Sequence, residues 1–562
     1  MKNWTQSRAL IWLVLLLFLL SWLHGLGARS LVPTDEGRYA EMAREMLATG
    51  DWLTPRLNAI KYFEKPPLQV WMTALAFKLF GLGEWQARLW TGLCGLLGIG
   101  LTWHAGRRVF SPAVGAAAGL VLASSFWWAG LGHINTLDMG LSGMMTLALC
   151  GLLLGQNPLA GAREQRLWML LCWAGMALAV MSKGLIGLVL PGAVLVLYTF
   201  IARDWAIWRR LHLLGGLLTF FAITAPWFIL VSLQNPEFAH FFFIHEHLQR
   251  FTSNVHRREG AWYYFIPLLL IGLLPWTSVL LHGLWRGWHA SARETSAGFQ
   301  PGKLLLIWTG FIFVFFSVSG SKLPSYILPI FPALALMIAL HLQIAGRATW
   351  INAGAIMSLL GIAGLAVLPQ MGTWASQARD EVHFLAAQQA ALAAALMLLF
   401  SGALVLWWVK KNPPDLRIRA TLTLAIGAYL AGQLAILATE PYGHYRSGLP
   451  MVPAIQAELG PQVKLYAVGL YDQTLPFYLR RTMTLVAHAD ELEFGLSQEP
   501  HLWHPTLESF LVEWQNGQKA VAIIRPNLLL ELRQRGVPVR LITQDSRRVV
   551  IANDPQSPTT SP

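Results

Sequence analysis

The sequence predicts a polytopic α-helical membrane protein with a small α/β domain at its C-terminal end. Three observations carry that reading. Of 562 residues, 55% are hydrophobic and only 13% charged, about half the charged fraction of a soluble domain. Apolar runs near the length that spans a bilayer, about 20 residues, recur along most of the chain. After about residue 440 the texture changes to short β-branched runs separated by helical patterns. Aromatics at 12%, including 26 Trp, exclude a disordered chain. The formal charge of +13 does not imply nucleic acid. From Glu440 onward 11 Lys and Arg face 12 Asp and Glu, so the excess sits as short basic clusters between apolar runs, the pattern of membrane topology signals. Cys94, Cys150 and Cys172 lie inside apolar runs and read as small buried side chains, not as a disulfide framework.

Taken in order, candidate spans lie near residues 9–27, 87–106, 113–131, 135–155, 166–182, 183–201, 211–233, 261–283, 303–319, 326–343, 349–368, 385–409 and 418–438, about thirteen transmembrane helices. The first reads as a retained anchor, because Gly27-Ala28-Arg29-Ser30 is a poor cleavage site. Arg107-Arg108, Arg163 with Arg166, Arg203 with Arg209-Arg210, Arg286 with Arg293, and Lys410-Lys411 with Arg417 and Arg419 fall on alternate loops. These share a side with the N-terminus, which the positive-inside rule makes cytoplasmic. Thirteen spans then place the C-terminal region on the opposite face, in a bacterium the periplasm.

The transmembrane unit is thus 1–439, with two long periplasmic loops at 28–86 and 234–260, and the periplasmic α/β domain is 440–562. Loops of that length are commonly functional. In the first, Thr34 can cap a helix running to about Ala48, with Gly50 beyond its end. Tyr39, Met42, Ala43, Met46 and Leu47 fall on one face and Arg38, Glu41, Arg44 and Glu45 on the other, which predicts an amphipathic helix lying in the membrane interface. A second short helix is expected over Pro67–Phe80. In the C-terminal domain, strands are expected at Val463–Leu470, Ala520–Ile524 and Arg548–Ala552, with a helix over Thr506–Trp514 and a disordered tail from Pro555.

Four constellations carry candidate chemistry. Asp35 opens Asp35-Glu36-Gly37-Arg38-Tyr39, where a first-turn carboxylate suits the helix dipole as well as it suits a reaction. In Tyr62-Phe63-Glu64-Lys65-Pro66-Pro67 the prolines give Lys65 a stiff exit, although a lysine here can also anchor the interface. Glu64 and Lys65, being adjacent, are not expected to pair with each other. His240-Phe-Phe-Phe-Ile-His245-Glu246-His247-Leu-Gln-Arg250 departs from the zinc-protease pattern, since Gln249 stands where a second histidine is needed. Asp138, in His133-Ile-Asn135-Thr-Leu-Asp138, is an acid at the outer end of a span, a functional position by default. Lys183, Lys322 and Tyr326 also fall near outer ends. There is no Gly-x-x-x-x-Gly-Lys-Ser/Thr loop and no Asp-x-Asp, and the glycines at 92–100 read as helix packing, so no nucleotide cofactor is expected.

Asp35-Glu36-Gly37-Arg38-Tyr39-Ala40-Glu41, Gly50-Asp51-Trp52-Leu53-Thr54-Pro55-Arg56-Leu57-Asn58, Tyr62 through Leu68, Lys183-Gly184 and Tyr471-Asp472-Gln473-Thr474-Leu475-Pro476-Phe477-Tyr478-Leu479 together resemble a known family. It is that of the aminoarabinose transferases of lipid A, polyprenyl-phosphate-dependent C-type (GT-C) membrane glycosyltransferases related to the protein O-mannosyltransferases. The resemblance implies a GT-C fold in the bacterial inner membrane, with its active site facing the periplasm. The implied reaction moves 4-amino-4-deoxy-L-arabinose from undecaprenyl phosphate to lipid A phosphates, with inversion. That would lower the negative charge of lipopolysaccharide and so confer resistance to cationic peptides. Membrane lipids are the remaining partners, and a monomer is expected.

Residue by residue, the resemblance makes Asp35 the catalytic carboxylate and Asp138 a second acid on the same cavity. It places Tyr62, Lys65 and Arg250 near the donor phosphate, with Arg38, Lys183 and Tyr326 as further substrate-binding residues. Glu64 and His245, with His247 as a weaker third ligand, match positions associated with a divalent metal, zinc being favoured. A sister enzyme acting on another sugar or acceptor, such as a core sugar or a protein hydroxyl, would carry the same motifs. A polyprenyl-lipid transporter fits less well, because the polar residues gather on one face and no internal repeat is present.

Overall fold

The computed structural model describes residues 2–249, 260–289, 298–516 and 518–553. Arg250 and the tail from Pro555 lie outside them, and nothing is described of the His247 side chain. Each expected apolar run falls on a helix, intact or broken. Among the described residues, eight helices are long and apolar enough to cross a membrane by length and composition, nine if one bent pair is a single span. The other expected spans also fall on helices: the first lies on Lys2–Gly27, of 26 residues, Glu84–Ala105 has 22 and carries Glu84, Gln86 and Arg88 at its outer end, and Pro112–Ser124 and Ile186–Ala202 are shorter. The expected span 261–283 is instead Phe265–Gly272 and Trp276–His289, bent by 109° at the break. Pro275 lies in that break and has no N–H with which to continue the helix.

The expected glycine packing is present. Trp22 lies against Gly92 and Gly95, with its indole N–H on the Gly92 carbonyl at 3.1 Å. Trp128 fills the space beside Gly98 and donates to the Gly95 carbonyl at 3.1 Å. Large aromatic knobs on glycine faces, each pinned by an indole–carbonyl hydrogen bond, draw these helices together.

The helix Asp35–Thr49 forms where expected and ends on Gly50 at φ 73°. Its surroundings differ from the expectation. Glu41, Arg44 and Glu45 are buried along with Tyr39, Met42 and Met46. The polar face does not meet water: Glu41 pairs with Arg44, Glu45 accepts from the hairpin residues Asn58 and Ala59, and Arg38 reaches Glu491 of the C-terminal domain. The apolar Tyr39, Met42 and Met46 share one core with Leu465, Val521 and Val550 of that domain. The helix is therefore the filling between two units rather than a float at the interface.

The C-terminal domain carries a six-stranded sheet in the order Trp503–His504, Thr484–Val486, Lys464–Val468, Ala520–Ile524, Val549–Ala552, Arg540–Gln544. The first four strands are parallel and the last two join antiparallel. The three central strands are those the sequence predicts, and all but Lys464 at their start are buried. The helix Leu507–Trp514 also forms, with the Thr506 hydroxyl accepting the Ser509 N–H.

Candidate active site

Two rigid pieces of the first loop set out its candidate residues. The helix Asp35–Thr49 places Asp35 in its first turn, while the Thr34 hydroxyl makes no capping bond, contrary to the sequence expectation. Behind Asp35, Glu36 is fully buried and meets Arg88 in a fork of 2.6 and 2.8 Å. Burial alone would raise its pKa, but the Arg88 guanidinium holds the carboxyl down to about 2. The remaining Arg88 donors reach the carbonyls of Leu26, Arg29 and Ser30. This buried pair bolts the start of the helix, and so Asp35, to the end of the first helix Lys2–Gly27 and to Glu84–Ala105.

The second piece is the hairpin Arg56–Leu57 with Ile60–Lys61. Its turn runs through Asn58 and Ala59 at φ 56° and 66°, and both N–H groups donate to the buried Glu45 carboxylate, that of Ala59 at 2.6 Å. The hairpin leads directly into Tyr62, Glu64 and Lys65.

These pieces and the ends of three membrane helices wall a cavity of about 710 Å³. Asp35, Arg38, Glu64, Lys65, Asp138, Lys183 and Tyr326 all line it. Arg38 bridges Asp35, at 2.9 Å, and Glu491. Lys183 pairs with Asp138 and lies 4.4 Å from the centre of the Tyr326 ring. The Ser325 hydroxyl donates to the other Asp138 oxygen at 2.9 Å. Lys65 reaches the Glu64 carbonyl at 2.8 Å, the Glu246 carboxylate at 3.3 Å and the Glu64 carboxylate at 3.8 Å. The expectation that Glu64 and Lys65 point apart therefore fails, because the long lysine stem folds back over its neighbour. Tyr62 stands beside this group, buried, its hydroxyl without a partner among the described residues. Burial first, and Glu64 next, push its pKa well up, so Tyr62 acts as a neutral hydrogen-bonding group.

Lys65, Asp138, Lys183 and Tyr326 also head a second space of about 520 Å³. It continues between Leu141, Ile186, Val189, Phe243, Phe315 and Phe316. A charged chamber thus opens into an apolar groove through four shared residues. Such a shape takes an amphiphile with an anionic group at the junction.

Sequence reading missed several lining residues. Gln473, Asp490, Glu491 and Glu493 come from the C-terminal domain, and Glu246 comes from the second loop. The Tyr471–Leu479 motif was the available signal, since Gln473 lies within it. His133 is structural, with ring nitrogens 2.7 and 3.0 Å from the carbonyls of Ala129 and Trp22. Lys322 donates to the Ser319 carbonyl at 2.6 Å. Among the described residues no three His, Cys, Asp or Glu side chains gather into a group that could hold a metal. His245 Nδ1 lies 3.6 Å from Glu246 Oε1, and Glu64 already faces the Lys65 ammonium. The described side chains alone do not make a metal centre.

Comparison with known proteins decides the family. The sequence family described as aminoarabinose transferase C-terminal domain matches residues 451–553, and that described as dolichyl-phosphate-mannose-protein mannosyltransferase matches 64–230. An undecaprenyl phosphate-alpha-4-amino-4-deoxy-L-arabinose arabinosyl transferase of Pseudomonas fluorescens is 31% identical over 511 residues, 87% of each chain. The chain belongs to this arabinosyl transferase family. Its Edwardsiella ictaluri member is 34% identical over 360 residues, an alignment spanning 63% of each protein and so a little under two thirds of that relative. A crystal structure of ArnT from Cupriavidus metallidurans bound to undecaprenyl phosphate is 41% identical, with a TM-score of 0.92, covering 98% of this chain and all of that one. The GT-C arrangement expected of an arabinosyl transferase is therefore the observed fold.

Proposed function

We propose that this arabinosyl transferase is an inner-membrane glycosyltransferase working at the periplasmic face. It moves 4-amino-4-deoxy-L-arabinose from undecaprenyl phosphate to the phosphates of lipid A. One observation carries the reading: Lys65 and Lys183 stand where the charged chamber meets the apolar groove. A polyprenyl tail fits the groove, its phosphate meets the lysines, and the sugar projects into the chamber beside Asp35.

The phosphate is the leaving group, and negative charge grows on it as the sugar–oxygen bond breaks. Lys65, already fixed by Glu64 and Glu246, supplies preorganised positive charge at that point. The attacking phosphate oxygen of the acceptor is anionic near neutral pH, so little general-base help is needed. Asp35, with a side chain 43% exposed to the chamber, instead orients the acceptor and balances the positive charge that develops on the sugar. The test is Lys65→Ala in a purified transfer assay. Loss of one charge-assisted contact, on the order of 1.5–3 kcal/mol, lowers kcat/KM for the donor by roughly tenfold to a hundredfold. An unchanged kcat/KM would remove Lys65 from the phosphate.

A further inference from the structure

Phe494 of the C-terminal domain sits where both loops of the chamber meet. Its ring stacks on Phe241 of the second loop with centroids 3.8 Å apart and planes at 20°. It also lies 6.4 Å from the ring of Phe63 in the first loop. Phe241 in turn stacks on His245 at 5.1 Å. The next residue is Glu246, whose carboxylate meets Lys65 at 3.3 Å. Phe63 is two residues before Lys65.

We infer that Phe494 is a positioning residue for the donor site, acting through Phe241 and Phe63 to hold Glu246 and Lys65 against each other. This rests on the proposed function, because Lys65 matters here as the contact for a polyprenyl phosphate. The reach is specific. Lys65 and Glu246 both line the apolar groove, and Phe494 lines neither space. The C-terminal domain thereby contributes an aromatic column to the donor site, beside the polar groups that it places on the chamber wall.

Neighbouring contacts make this segment a firm support. Glu499 accepts from Arg56 at 3.0 Å and from the Lys61 N–H at 3.1 Å. Asn58 exchanges two bonds with the backbone of Met483, at 2.6 and 2.7 Å. The domain is thus gripped to the hairpin on either side of Phe494 in sequence, and removing one ring leaves those grips in place.

The test is a double-mutant cycle on the full-length protein, reading undecaprenyl phosphate affinity and donor KM beside kcat. Phe494→Ala raises KM and weakens undecaprenyl phosphate binding by roughly threefold to tenfold, the size of one lost aromatic pair, with a smaller change in kcat. Phe494→Leu, which keeps bulk, recovers part of the loss, and Phe494→Trp, which keeps an aromatic face, recovers more. Phe241→Ala combined with Phe494→Ala is little worse than either alone, because both break the same column. Additive losses, or a loss confined to melting temperature with KM unchanged, would overturn the assignment. If the wild-type protein itself bound no undecaprenyl phosphate, the proposed function would fall instead. Wild-type binding with unchanged variants would sink this inference alone.

Discussion

At the scale of single residues, charge pairing divides the site into fixed and available groups. Asp138 is paired with Lys183 and held by Ser325. Asp35 is different, since it is the carboxylate of the Arg38 pair that remains substantially open to the chamber. Replacing it removes charge without uncovering a buried partner, because Arg38 keeps Glu491. Asp35→Asn is therefore expected to fold normally, to melt within a degree or two of wild type, and to lose most of its turnover with donor affinity nearly intact. A variant that melts much lower while keeping full turnover per folded molecule would make Asp35 a helix-start residue only. Much of this was legible in the sequence. Asp35, Arg38, Glu64, Lys65, Asp138, Lys183 and Tyr326 meet in one chamber, as family motifs and their outer-end positions imply. Illegible were the partners, such as Glu246 and Glu491. A glutamate more than 180 or 450 residues away in the chain is matched to its lysine or arginine only by the fold.

At the scale of elements, the helix Asp35–Thr49 shows what helical periodicity cannot report. Its alternation of polar and apolar faces is real, yet both faces are buried, because the hairpin of the same loop and the C-terminal domain both supply partners to the polar side. The close approach has a marker in Gly37. A Cβ there would meet the Gln473 carbonyl at 2.6 Å and the Thr474 methyl at 2.7 Å. Gly37→Ala must therefore push the C-terminal domain outward. Overpacking of this kind costs about 1–3 kcal/mol, and the thermal midpoint and turnover should fall together. Unchanged values of both would mean that the two units are not seated on each other there.

The same helix carries a pH-dependent element. Burial, with Glu41 one turn away, pushes Glu45 up to about 8 while its oxygens accept the hairpin N–H groups of Asn58 and Ala59. The folded pKa lies above the ordinary value, so the folded state binds a proton that the unfolded state releases. Stability from this group is complete below about pH 4.5 and is lost as pH rises through about 8. Glu41 is shifted the same way by burial, so it adds to the trend. The melting temperature should fall between pH 5 and pH 9, and fall less in Glu45→Gln. An identical profile in wild type and variant would place the titration elsewhere.

At the scale of the whole molecule, the membrane helices supply a greasy slot and the C-terminal domain supplies the far wall of the chamber. The apolar runs made the first part readable. Each fell on a helix, and what they did not show is the break at Pro275, where one run bends by 109°. The sheet was half readable. Its long apolar central strands stood out, whereas Thr484–Val486 and Trp503–His504 are too short, and Arg540–Gln544 too exposed, to show a pattern.

The central claim is that the junction between chamber and groove transfers a sugar between two lipids. Its most direct test is mass spectrometry of lipid A after incubation of the purified protein, in bilayers, with undecaprenyl-phosphate-linked 4-amino-4-deoxy-L-arabinose. The predicted result is lipid A heavier by one or two aminoarabinose residues, with matching release of undecaprenyl phosphate and with the product strongly reduced in Asp35→Asn. Unmodified lipid A and intact donor, with the donor instead redistributed between the two leaflets, would contradict the account and identify a lipid transporter.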